Sequence, residues 1–423
     1  MWILLTIILT SLILFGIIYY STNSTEFEYN SITEQFEVRD ANFKLELVAD
    51  NLKRGLQHVT TFQPENENDN SSFYIIFIKL MGRGILVLRS DTFEQIDEFG
   101  TYPGTCIQAV GHHLYVGGPA NVYRYDLDPG TGNVLNKESP DLVIRGLKGN
   151  RMSDSPIFIV NPNETKMYVH VPSLTNACQP ISADRKRGKP GELPCSRTMM
   201  DSGVWLFDPR TTNHTLETGS LIATGIRKMR ALALNKEERL FGIIQGRDFL
   251  NELYPRYYSK EEGDLYGSDE LVEITPNTNF GHPYCYWDGD VYRFKLNPEY
   301  GGDGHKAKQC NSLITKPLAA FNGHMGPNHV LFNTVLDWGP AYEGAMFVAW
   351  NGRPSPMRCN KTCANLYVST IAFNESMIPQ DNRILIQFDP EDYTKPAGLC
   401  ATPDGAMLIS DSLKGKLYKL SKR

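Results

Sequence analysis

Short apolar runs broken by Gly, Pro, Asn and Asp recur along this chain from residue 43 to its end. The runs are too short for helices and are rich in β-branched and aromatic residues, so they predict strands. A unit of turn, apolar strand, turn and second apolar strand occurs six times, beginning near Gly55, Gly104, Asp154, Gly225, Gly326 and Pro396. The second strands fall at 73–78, 113–117, 166–171, 239–244, 345–350 and 406–410, and third strands follow at 121–126, 203–208 and 415–420. Six units of this kind predict an all-β, six-bladed β-propeller, which buries its inner strands around a channel. The chain stops after the third strand of the sixth unit. The run Phe43-Lys-Leu-Glu-Leu-Val-Ala49 is therefore expected to supply the missing fourth strand and close the ring. One closed domain, 25–423, follows. Long loops interrupt the third to fifth units, and loops of that length in a compact domain are usually functional.

Residues 1–20 carry no charged side chain and are long enough to span a bilayer. They read as a signal anchor or a signal peptide; the absence of a small-x-small site after Tyr20 favours the anchor. Either way the propeller is expected on the lumenal or extracellular side, tied to the membrane through 1–20 if that segment is uncleaved. Two features agree. Acceptor sequons occur at Asn23, Asn70, Asn163, Asn213, Asn360 and Asn374, and the eight cysteines suit an oxidising compartment. Cys178 with Cys195 and Cys285 with Cys310 bracket long loops, and Cys359 with Cys363 could close a small one. Zinc at Cys359 and Cys363 lacks a second ligand pair nearby. Cys106 and Cys400 are left as buried thiols. A net charge of −6 argues against nucleic acid as a partner. The basic run Asp184-Arg-Lys-Arg-Gly-Lys189 reads as a solvated loop tip.

Gly225-Ile-Arg-Lys, Gly246-Arg-Asp, Ser268-Asp-Glu-Leu and Phe280-Gly-His-Pro-Tyr-Cys-Tyr-Trp follow one another in that order. Order and spacing resemble the soluble glucose/sorbosone dehydrogenase family, whose members carry G-L-R-N, N-G-R-D, D-E-(I/L)-N and Y-G-W-P-Y-C-Y in the same succession. The resemblance implies a six-bladed propeller that holds pyrroloquinoline quinone (PQQ) and calcium and oxidises a sugar or polyol carbon. It places Arg227 against the cofactor and the backbone carbonyls of Gly246 and Arg247 on calcium, with Asp248 and Glu270 as the acidic side chains nearby. Lys395, ahead of the last blade, and His324, in His324-Met-Gly-Pro-Asn-His329, fall on further cofactor-side positions.

The departures matter as much. The family's catalytic histidine lies in G-G-H-x-x-T-R, where this chain reads Gly149-Asn-Arg-Met-Ser-Asp154. Asn150 thus takes the histidine position, and a carboxamide has no basicity to accept a hydroxyl proton. Asp154 replaces an arginine, Lys228 replaces the asparagine of G-L-R-N, and Asn351-Gly-Arg-Pro-Ser-Pro356 replaces H-G-S-W-N-R. Three functions stay open. The first is a quinoprotein dehydrogenase-like propeller acting on a sugar or polyol, with a degraded site. The second is a non-catalytic extracellular propeller binding a protein or glycan, as the hedgehog-interacting proteins of similar sequence do. The third, a calcium-dependent lactonase, finds no matching set of side-chain ligands. A purely structural reading is also open: Arg227, Asp248 and Glu270 as an ion-pair network, His282 and His324 as core histidines.

Overall fold

The computed structural model describes residues 36–65, 73–148, 155–307, 310, 313–352, 366–389 and 392–423. The segment 1–20, Asn150, Asp154, Cys359 and Cys363 lie outside them. The described residues fall in one compact unit that begins at Phe36.

Six sheets form the blades, antiparallel except for the fifth strand of blade three, which pairs parallel. Their inner strands are Leu56–Phe62, Ile107–Val110, Ile157–Val160, Met229–Leu234, Pro327–Phe332 and Pro396–Ala401, each opening one of the six sequence repeats. These strands neighbour one another in ring order around the centre. Four strands per blade is the rule, and blades three and five each carry a fifth. Phe43–Ala49 pairs antiparallel with the last strand, Leu417–Lys422, so the two ends of the chain share the sixth blade. The core lies between blade faces. One cluster joins Val169, Trp205 and Phe207 of blade three to Leu232 and Val272 of blade four. Another joins Phe347 and Val368 of blade five to Phe43, Met407 and Tyr418 of blade six. Alternate strand residues face opposite neighbours, and both faces are covered, so the strands read as continuous apolar runs.

Every inner strand starts at the same end of the ring. At that end three long loops, 172–202, 245–268 and 280–318, interlock over blades three and four. Disulfides Cys178–Cys195 and Cys285–Cys310 close two of them, with Cα separations of 6.0 and 5.9 Å. Tyr284 Oη accepts from the Cys195 amide at 2.9 Å, and Tyr300 Oη donates to the Ala177 carbonyl at 2.9 Å. Cys106 and Cys400 are free, the first buried and the second half-buried, and burial pushes their thiols up to about 12 and about 11.

Candidate functional site

The residues singled out by motif come from blades four, five and six, and all sit at the end where the inner strands begin. Arg227 and Lys228 precede the inner strand of blade four. Gly246, Arg247 and Asp248 follow its second strand, Leu240–Ile244. Glu270 belongs to its third, Asp269–Glu273, opposite Ile244. His324 precedes the inner strand of blade five, and Lys395 that of blade six.

Arg227 organises the centre of this group. Its Nε donates to Asn176 Oδ1 at 3.0 Å and its Nη1 to the Gly246 carbonyl at 2.7 Å, while Nη2 pairs with Asp248 Oδ2. His324 Nδ1 lies 3.1 Å from the other Asp248 oxygen, and its Nε2 faces the Gly263 carbonyl at 3.2 Å. His324 holds φ of +65° and Phe249, beside Asp248, +64°. Such backbone is costly for a side-chain-bearing residue and persists where surrounding contacts impose it. Burial works to raise the Asp248 carboxyl, but Arg227 and His324 outweigh it and hold the group well below the usual carboxylate range.

Behind Arg227, the Arg247 guanidinium clamps Glu299 through two hydrogen bonds, 2.8 and 2.6 Å, with both side chains fully buried. Asn297 Oδ1 accepts from the same Nη1 at 3.1 Å, and Gln179 Nε2 donates to Glu299 at 2.9 Å. One ion pair therefore pins all three top loops together. Asp269 accepts from the Gly246 amide at 3.0 Å and the Gly326 amide at 3.3 Å, tying blade four to blade five. Burial pushes Asp269 up to about 6 against those two donors. Gly246 has to be glycine, because a Cβ there would meet the Gly267 carbonyl oxygen at 1.7 Å.

Glu270 is different. It is buried, and its Oε2 has no hydrogen-bond partner among the described residues. Burial, then the neighbouring Asp269, raises its pKa well above the usual carboxylate value. It lines a pocket with Arg227, Gly246, Arg247, His282 and Asn297. The pocket has about 20 Å³ of free space, enough for a water or a single ion. His282 stays neutral, its pKa forced far down by burial and then by Arg227 and Arg247. Lys395 is half-buried, and its ammonium makes no hydrogen bond or ion pair among the described residues. Burial lowers its pKa and Asp411 opposes this. The ion-pair reading of Arg227 and Asp248 thus matches the geometry, and Glu270 stands outside that pair.

Calcium and PQQ can be tested against these donors. The Gly246 carbonyl accepts from Arg227, and Asp248 is shared by Arg227 and His324. Among the described residues no three His, Cys, Asp or Glu side chains group as a metal site. Of the cations suited to the cofactor's carboxylates, Arg227 is committed and Lys395 is free. As arranged, the donor set neutralises itself and does not fit a divalent ion. Asn176, Gln179, Asp269 and Glu299 were not singled out by motif. Each acts through a partner in another loop or strand, and only the sequence Ser268-Asp-Glu-Leu hinted at Asp269.

Comparison with known proteins fits this architecture. An iodide-bound Trichoderma reesei carbohydrate-active enzyme of family AA12 superposes with a TM-score of 0.71 at 15% identity, covering 94% of this chain and 100% of that one. The holo PQQ domain of pyranose dehydrogenase from Coprinopsis cinerea gives 0.66 at 14% identity, covering 94% and 98%. PQQ-bound aldose sugar dehydrogenase from Streptomyces coelicolor gives 0.55 at 14%, covering 91% and 99%. At such identities these likenesses establish the six-bladed fold alone. No curated protein matches the chain in sequence. The family model described as TrAA12-like matches residues 74–423, and the chain, a divergent quinoprotein sugar dehydrogenase-like propeller, belongs to that family.

Proposed function

We propose that this protein is a sugar- or polyol-binding propeller of quinoprotein descent whose PQQ and calcium site has degraded, leaving sugar oxidation weak or absent. One observation carries the reading: the Arg227 guanidinium holds the Gly246 carbonyl and the Asp248 carboxylate at once. A metal at that carbonyl, or a quinone carboxylate at that guanidinium, must first break this arrangement, and the cost appears as lost affinity. If bound, PQQ would supply hydride acceptance; Arg227 and Lys395 are the residues left to hold its carboxylates. The missing base points the same way. Asn150 cannot take the hydroxyl proton, and losing a positioned general base costs roughly 10²–10⁴-fold in rate. His282 is kept neutral and buried, and His324 is engaged by Asp248 and Gly263, so neither replaces it in this arrangement.

The test is a dye-coupled assay with added PQQ and calcium, run on the wild type, Asn150→His and Arg227→Ala beside direct titration of PQQ binding. The expected result is weak wild-type binding and turnover, with turnover raised by Asn150→His. Robust wild-type turnover that Arg227→Ala abolishes would sink the degraded-site reading and make this an ordinary dehydrogenase. No sugar and no PQQ binding by any variant would instead favour a propeller that binds a protein or glycan.

A further inference from the structure

Three acceptor sequons fall on described residues: Asn163-Glu-Thr165, Asn213-His-Thr215 and Asn374-Glu-Ser376. Their places in the fold are related. Asn163 lies in the turn between the first and second strands of blade three, Ile157–Val160 and Met167–Val171. Asn213 lies between the third and fourth strands of the same blade, Gly203–Phe207 and Ser220–Thr224. Asn374 lies between the third and fourth strands of blade five, Leu366–Phe373 and Pro379–Phe388. First and third strands run away from the end where Arg227, Asp248, His324 and Lys395 gather. All three turns therefore lie at the opposite end of the ring. All three asparagines are exposed, and none of their Nδ2 groups donates a hydrogen bond among the described residues. At Asn374 only the side-chain oxygen is used, accepting from the Ser376 and Ile378 amides at 3.1 and 2.9 Å.

We propose that Asn163, Asn213 and Asn374 are acceptors for N-linked glycans, and that they make the end of the propeller away from Arg227 a glycan-bearing face. The modification needs a hydroxyl two residues on and no intervening proline, conditions met by Thr165, Thr215 and Ser376. In the transfer, Nδ2 bonds to C1 of the first sugar of a lipid-pyrophosphate-linked oligosaccharide. The C1–O bond breaks, the lipid pyrophosphate departs with that electron pair, and the amide loses one proton. Bulky solvated sugars on these three turns keep that end from packing against a protein surface. The two disulfides that close those loops suit the oxidising compartment in which such transfer occurs.

The experiment uses the full chain secreted from a eukaryotic host, deglycosylated by an amidase in heavy-oxygen water and mapped by peptide mass spectrometry. All three asparagines are expected as heavy-oxygen aspartate. Any one of them recovered unmodified from secreted protein overturns the assignment of that face, as does failure of the chain to be glycosylated at all. Single Asn163→Gln, Asn213→Gln and Asn374→Gln variants should each lose one mobility step on a denaturing gel. A variant with unchanged mobility counts against the proposal in the same way.

Discussion

Lys79 is fully buried in blade one, with no carboxylate partner among the described residues. Its ammonium donates to the carbonyls of Leu80, Gly84 and Tyr102 at 2.7, 3.2 and 2.8 Å. Burial pushes its pKa down to about 7 from 10.5. Below about 7 the folded and unfolded chains both carry the proton, and folding bears the full desolvation penalty. Between 7 and 10.5 the unfolded chain binds more protons than the folded one, so stability rises with pH through this window. Melting temperature measured from pH 6 to 10 should climb more steeply in the wild type than in Lys79→Met. Parallel profiles would show that Lys79 keeps an ordinary pKa. At this scale the sequence was legible only in part. Arg227 and Gly246 stood out because motif spacing fixes them, whereas Lys79 is one polar letter inside an apolar strand. Glu299 was equally silent, because its partner Arg247 lies 52 residues away with no periodicity linking them.

Elements were far easier to read than their contacts. Strand positions follow from apolar runs of the right length, and the two long-loop disulfides follow from cysteine spacing. That the loops lock onto one another through Arg247–Glu299 and the tyrosines could not be read, because cross-loop contacts leave no local pattern. The Cys178–Cys195 bridge spans 17 residues, and in the chain-entropy model such a loop closure is worth about 3 kcal/mol. The basic tip Arg185–Lys189 is exposed at the end of that loop, with Arg187 Nε donating to the Glu252 carbonyl at 2.8 Å. Cys195→Ser should therefore speed tryptic cleavage between 185 and 189 well before global unfolding, read by timed digestion and mass spectrometry. Equal cleavage rates with and without the disulfide would mean that the neighbouring loops, and not the bridge, hold the tip in place.

The whole molecule depends on its ring being shut. A linear array of blades would leave two apolar blade faces open, and closure removes both by pairing the first long strand with the last. Phe43 is the anchor of that seam. It is 1% exposed and packs edge-on or tilted against Tyr342 and Trp338 of blade five, with ring centroids 5.2 and 4.6 Å away. Truncation to alanine leaves a cavity against two aromatic rings and costs about 3–5 kcal/mol. Because the seam joins both ends of the chain, the loss should not stay local. Phe43→Ala is expected to lower the melting temperature of the entire propeller in one transition, with Trp338 fluorescence and far-ultraviolet dichroism changing together. Two separated transitions, the first confined to Trp338, would show instead that the closing strand detaches alone while the rest of the propeller stays folded. In that case Arg227 and its partners Asn176, Asp248 and His324, carried by blades three to five, would outlast the opening of the ring.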